Sequence, residues 1–192
     1  MTENRFRVRS LAVEVLSIVL GVLLALGVNE WNENRIHSKN ADKALRDIHA
    51  ELLLNQKVLN TVHENNSSIV KAIAEDSGNE EERQFVPGLQ IQDTAWQTML
   101  ATGINEHIYY DVLHLLSATY AFQEVYRSIS FQMIQNVMTT TALATAIRED
   151  AKLPDNLFLE NMELVVLTEE GLAAHYERAL NKLNEAGYTA KD

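Results

Sequence analysis

The feature that most constrains this chain is an apolar run near its start, Ser10-Leu-Ala-Val-Glu-Val-Leu-Ser-Ile-Val-Leu-Gly-Val-Leu-Leu-Ala-Leu-Gly-Val28. As a helix these 19 residues extend roughly 28 Å, about one bilayer hydrocarbon core. A core helix of a globular domain rarely runs so long without a polar stripe, so the run is read as a transmembrane helix. A cleaved signal peptide is the competing reading, because Ala25-Leu26-Gly27 places small residues where a signal peptidase cuts. Against it stand the length of the run, the presence of Glu14 and helical patterning that continues past the cut. The expected organisation is a cytoplasmic tail (1–9), a transmembrane helix (10–28) and an extracytoplasmic helical domain (29–192).

Orientation follows from the flanks. Arg5, Arg7 and Arg9 precede the run, whereas Asn29–Asn34 contains two Glu and no Lys or Arg. Positive charge stays in the cytoplasm, which puts the N-terminus inside and the large domain outside. Arg35, Lys39 and Lys43 weaken the bias without reversing it. Trp31 falls where an aromatic ring sits at the outer interface.

Within the run, Ser10, Glu14, Ser17, Gly21 and Ala25 recur at spacings of 4, 3, 4 and 4, which puts them on one helical face. Ser17-x3-Gly21-x3-Ala25 is a small-residue ridge that allows two helices to approach closely in lipid. Glu14 either reaches up to the headgroups or is shielded by a partner helix. Its place beside the small residues favours the partner. Glu14, Ser17, Gly21 and Ala25 are therefore the expected association face, toward a second copy of the chain or another membrane protein.

Glu14, Ile18, Gly21-Val-Leu-Leu-Ala-Leu26, Asn29, Trp31 and Glu33 together resemble the N-terminal signature of a family of short, uncharacterised bacterial single-pass membrane proteins. That signature reads Glu, then Gly-[Val/Ile]-Leu-x-Ala-Leu, then Asn-x-Trp-Asn-Glu. The likeness covers about 20 of the 192 residues, and Gly27 departs from it. It implies the bacterial cytoplasmic membrane and a helical ectodomain, and it implies no activity.

Beyond Val28 the chain carries 13 Lys and Arg against 25 Asp and Glu, a net charge of −12. Such a surface repels nucleic-acid phosphates and anionic lipid headgroups, which argues against both as partners. The whole chain has two Pro, seven Gly and no Cys. The first two counts favour long helices, and the third removes disulfides, thiolate metal sites and thiol catalysis.

A heptad counted from Trp31 puts Trp31, Asn34, Ser38, Ala41, Leu45, Ile48, Leu52, Asn55, Leu59, Val62, Asn66, Ile69 and Ile73 at the seam. The four polar interruptions weaken a continuous coiled coil and favour a bundle packed within one chain. Residues 77–92 read as a long charged loop. A short helix follows, with Asp93 as N-cap and Gly103 as stop. A second long helix is predicted from Asn105 to about Asp150, with a possible kink near Arg127–Ser130, and a last one from Asp155 to Gly187. The expected fold is all-α, a transmembrane helix continuing into an antiparallel helical bundle.

No motif for phosphate cradling, nucleophilic catalysis or a zinc helix occurs, and no cofactor is implied. The one candidate metal face is His107-x3-Asp111-x2-His114, whose spacing puts three ligand-type side chains together if one helix carries them. Tyr109, Tyr110, Tyr120 and Tyr126 either line a pocket or, more ordinarily, pack the bundle. Two functional classes follow: a membrane-anchored interaction or sensory module acting through partner binding, and, as the alternative, a metal- or pocket-dependent enzyme on the periplasmic membrane surface.

Overall fold

The computed structural model describes residues 3–75, 87, 90–147 and 155–189, and the side chains of 3–13, 15, 140–147 and 155–157 lie outside that description. The predicted loop over 77–92 falls almost wholly outside it. The described residues are all-helical: α1 (Glu3–Ala74), α2 (Thr94–Ala101), a 3-10 turn (Ile104–His107), α3 (Tyr110–Ile147) and α4 (Asp155–Glu185).

With neither Gly nor Pro between Val28 and Asp76, nothing interrupts α1, and its 72 residues extend about 108 Å. Its two halves have opposite surroundings. From Leu16 to Val28 every described Leu, Ile and Val is exposed, between 47% and 69%, on all sides of the helix. From Ala41 to Ile69 every seam position is buried, including Asn55 and Asn66. Trp31, Asn34 and Ser38 belong to the same heptad but are exposed, so the buried seam begins at Ala41.

Among the described residues no helix is long and apolar enough to cross a membrane. The part of the run whose side chains are described without a gap, Leu16–Val28, has 13 residues, roughly 20 Å of helix against a core of about 30 Å. The rest of the sequence run, Ser10–Val13 and Val15, lies outside the described side chains.

Helix directions follow from side-chain pairs. His49 meets Asn184 and Asn66 meets Glu169, so α4 runs antiparallel to α1. Gln123 meets Tyr176 and Asp111 meets Lys182, so α4 is also antiparallel to α3. Glu51 meets Tyr120 and Asn55 meets Gln123, which leaves α1 and α3 parallel. Among the three long helices α4 alone is antiparallel to the others, and α2 with the 3-10 turn also runs antiparallel to α1, with Gln92 at Asn55, Ala95 at Glu51 and His107 at His37. Fully buried Ile48, Leu52, Leu59, Leu116, Met162, Val165, Leu172 and Leu183 fill the core.

Two termini differ from sequence expectation. Asp93 sits at the N-cap of α2 but makes no capping hydrogen bond; its carboxylate pairs with Arg127 at 3.2 Å instead. The cap comes from α1, where Glu51 Oε2 accepts the Ala95 N–H at 2.7 Å. Gly103 does stop α2, at φ 69°, a left-handed conformation that suits glycine. Ile108 is then extended, so α3 starts at Tyr110 rather than Asn105, and it runs unbroken past Arg127–Ser130.

Asn55 explains why a polar residue occupies the seam. Its Nδ2 donates to the Gln92 carbonyl at 2.7 Å and its Oδ1 accepts the Gln92 N–H at 2.8 Å. Gln123 Nε2 donates to the same carbonyl at 3.1 Å, and Tyr176 donates to Gln123 Oε1 at 2.6 Å. Three long helices thereby hold the strand of chain that leads into α2. Asn55→Leu would improve a simple seam yet orphan the Gln92 N–H, so we expect destabilisation of about 1–3 kcal/mol in urea unfolding. Gain of stability would show that the Gln92 clamp does not matter.

Candidate functional site

Two features stand out on the bundle: an open groove and a buried acid. The groove lies where α2 and the 3-10 turn splay from α1, and its volume of about 960 Å³ is at the upper end of the range for small-molecule sites. Its floor holds Ala44, Ala50, Ala95 and Met99, and its rim carries Lys43, Asp47 and Glu106. Helical spacing produces this wall, because positions 40, 43, 44, 47, 50, 51 and 54 of α1 form one face.

Glu51 is buried at the groove's inner edge. It accepts the Tyr120 hydroxyl at 2.6 Å as well as the Ala95 amide. Burial, with the Glu51 carboxylate beside it, pushes the Tyr120 hydroxyl far above the usual tyrosine range, so it remains a donor at every physiological pH. The Trp96 ring stacks on Tyr120 at 4.9 Å. These contacts build structure and leave no free base pointing into the groove from this pair. At the end nearest the exposed half of α1, the rings of His37 and His107 stack with centroids 4.1 Å apart.

The buried acid is Glu169 of α4. Its Oε1 accepts Asn66 Nδ2 at 2.7 Å and the Tyr126 hydroxyl at 3.2 Å, and its Oε2 lies 3.3 Å from His63 Nδ1. Burial raises the Glu169 carboxyl above the ordinary glutamate range, and the three polar neighbours offset only part of that. His63, about one-third exposed, links the acid to the surface through a small cleft that Glu170 and Glu177 also line.

The candidate metal face of His107, Asp111 and His114 does not assemble. Ile108 breaks the helical phase, so His107 lies in the 3-10 turn against His37 while Asp111 and His114 lie on α3. Asp111 pairs with Lys182 at 2.6 Å, and that ammonium lowers its carboxyl below the usual range. His114 rests against Tyr110. Among the described residues no group of three or more His, Asp or Glu side chains is placed to hold a metal ion.

The four tyrosines also part company, with Tyr120 and Tyr126 buried and Tyr109 and Tyr110 exposed. Glu14, Ser17, Gly21 and Ala25 are all exposed on α1, and a Cβ added at Gly21 meets nothing within 4 Å.

Sequence reasoning singled out neither Glu51 nor Glu169. The signal for Glu169 is its position, four residues after Val165 and three before Leu172, squarely on the apolar stripe of α4. No family model, curated protein or solved structure matches this chain.

The sign of the Glu169 linkage is set by its raised carboxyl. Its contribution to stability is full below the unfolded glutamate range and is lost as pH rises through the folded value. Glu169→Gln keeps the acceptor for Asn66 and Tyr126 while removing the ionisation. We therefore expect the midpoint difference, variant minus wild type, to grow from acidic pH toward pH 8 in thermal melts. A difference that shrinks over that range would reverse the assignment.

Proposed function

We propose that the protein is a single-pass, membrane-anchored helical module that acts by binding a partner, with residues 10–28 spanning the bilayer. The observation that carries this reading is the all-round exposure of Leu16–Val28 on a helix continuous with a well-packed bundle. Nine large apolar side chains on every face of a helix have no aqueous rationale, whereas hydrocarbon accepts them on all sides. The sequence run supplies the remaining length at Ser10–Val15. Arg5, Arg7 and Arg9 favour a cytoplasmic N-terminus and an extracytoplasmic bundle. The family resemblance favours a bacterial cytoplasmic membrane.

The binding role has two supports. The face of Glu14, Ser17, Gly21 and Ala25 suits a second transmembrane helix, from another copy or another membrane protein. The α1–α2 groove offers an open concave surface on the bundle. The dispersal of His107, Asp111 and His114 takes away the feature on which the enzymatic alternative rested.

Three measurements test the reading. Full-length protein is expected to stay in the membrane pellet after alkaline carbonate extraction, and a reporter that is active only in the cytoplasm is expected to be silent when fused after Asp192. Release into the supernatant overturns the anchor, and an active reporter overturns the orientation. In a transmembrane association assay on the full chain, Gly21→Ile is expected to cost on the order of 1–2 kcal/mol. Leu20→Ile, off that face, serves as control; equal signals from the two variants exclude the small-residue face.

A further inference from the structure

We infer that the turn between α2 and α3 is a second, peripheral membrane contact, in which Tyr109 and Tyr110 rest in the lipid headgroup layer beside the anchor. This rests on the membrane reading of residues 10–28 and adds to it a surface on the folded bundle. Tyr109 and Tyr110 are 78% and 80% exposed, more than any other large apolar or aromatic side chain described. They are adjacent in sequence, and neither contributes to the core.

Their position comes from the fold. His107 stacks on His37, and Tyr109 shares a hollow with Asn34, His37 and Ser38, so the turn sits at the end of the bundle nearest the exposed apolar half of α1. Tyr110 is the first residue of α3, which runs parallel to α1. Helical side chains incline toward the N-terminus of their helix, and here that direction is toward the anchor.

The heights agree. Asn34 is six residues beyond Val28, about 9 Å along the helix. The headgroup zone adds roughly 5–8 Å on each side of the hydrocarbon core. A tilt of about 20°, usual for a membrane helix, acting over a helix–helix spacing of about 9 Å, lowers the turn by roughly 3 Å. That brings Tyr109 to the outer edge of the headgroup zone, and a tyrosine side chain closes the rest.

Composition and charge favour the same occupant. Tyrosine, with an apolar ring and a polar tip, suits the interface, and exposed Trp31 continues the aromatic band on α1 with Arg35 lying over its ring at 5.6 Å. Residues 29–47 contain four Lys or Arg and four Asp or Glu, so the whole −12 of the domain lies beyond them. In the turn Glu106 is exposed, while Asp111 is paired with Lys182. This end can approach an anionic surface without strong repulsion.

The absence of cysteine makes single-site labelling direct. Spin labels at Glu106→Cys, Leu24→Cys and Glu64→Cys, on otherwise full-length protein in phosphatidylethanolamine–phosphatidylglycerol vesicles, report collisions with lipid-dissolved oxygen and with a water-borne relaxer. The expected result is a label at position 24 in hydrocarbon, one at 64 in water, and one at 106 with oxygen collisions several-fold above those at 64. Tyr109→Ser with Tyr110→Ser is expected to bring position 106 down to the level of 64 at unchanged helicity, and Tyr109→Trp with Tyr110→Trp to preserve it. If position 24 is in lipid and 106 is as aqueous as 64, the contact is wrong and the anchor stands. Immersion at 106 that survives the serine variant excludes the tyrosines. If position 24 is itself aqueous, the anchor reading fails and this inference falls with it.

Discussion

Continuity of α1 governs the rest of the molecule. A helix with no glycine or proline over the 47 residues from Asn29 to Glu75 resists sharp bending, because kinks need a proline, a small-residue pair or an inserted group. The exposed apolar half and the seam of the bundle are therefore parts of one rod. Whatever fixes the tilt or rotation of residues 16–28 also fixes which side of the bundle faces which neighbour. The groove, the stacked histidines and the tyrosine turn all lie against α1 between Asn34 and Leu54, on the stretch closest to the apolar half.

The bundle's polar interior specifies its arrangement more than it adds stability. A seam made only of Leu and Ile would pack against several neighbours in several registers, while Asn55, Asn66, Glu51 and Glu169 each accept one geometry. Asn55 needs the backbone of Gln92, Glu51 needs the first turn of α2, and Glu169 needs Asn66, Tyr126 and His63 together. A register slip of one turn between α1 and α4 separates Glu169 from Asn66 and His63, and Asn184 from His49. Arg127 completes the clamp by binding Asp93 and the Ile91 carbonyl, which ties α3 to the same segment.

How much of this was legible depended on whether a residue's role was periodic. The all-α class, the seam from Ala41 to Ile69, the stop at Gly103 and the course of α4 follow from spacing, and the described structure has them. The start of α3 was misplaced because residues 105–109 contain no glycine or proline, and only the left-handed Gly103 followed by an extended Ile108 forces the break. That one error also created the His107–Asp111–His114 face, since a ligand set inferred from helical spacing is only as good as the helix. Polar residues on an apolar stripe were visible as interruptions. Their partners lie 31 to 135 positions away, and one sequence gives no means of pairing them.

The two buried acids sit in different surroundings. A general acid or base needs a titratable group within reach of a reacting atom in a cavity. Glu51 borders the groove but spends both oxygens on Tyr120 and Ala95, and Tyr120 is held protonated by its surroundings. Glu169 has the perturbed carboxyl, yet the cleft beside it is small and is lined by two further glutamates, so it repels anionic substrates. The perturbed group and the large concave surface are therefore on different parts of the bundle, one near Asn66 and one near Ala44. Glu169 meets Asn66 and His63 of α1 and Tyr126 of α3, so the buried acid ties the three long helices to one another.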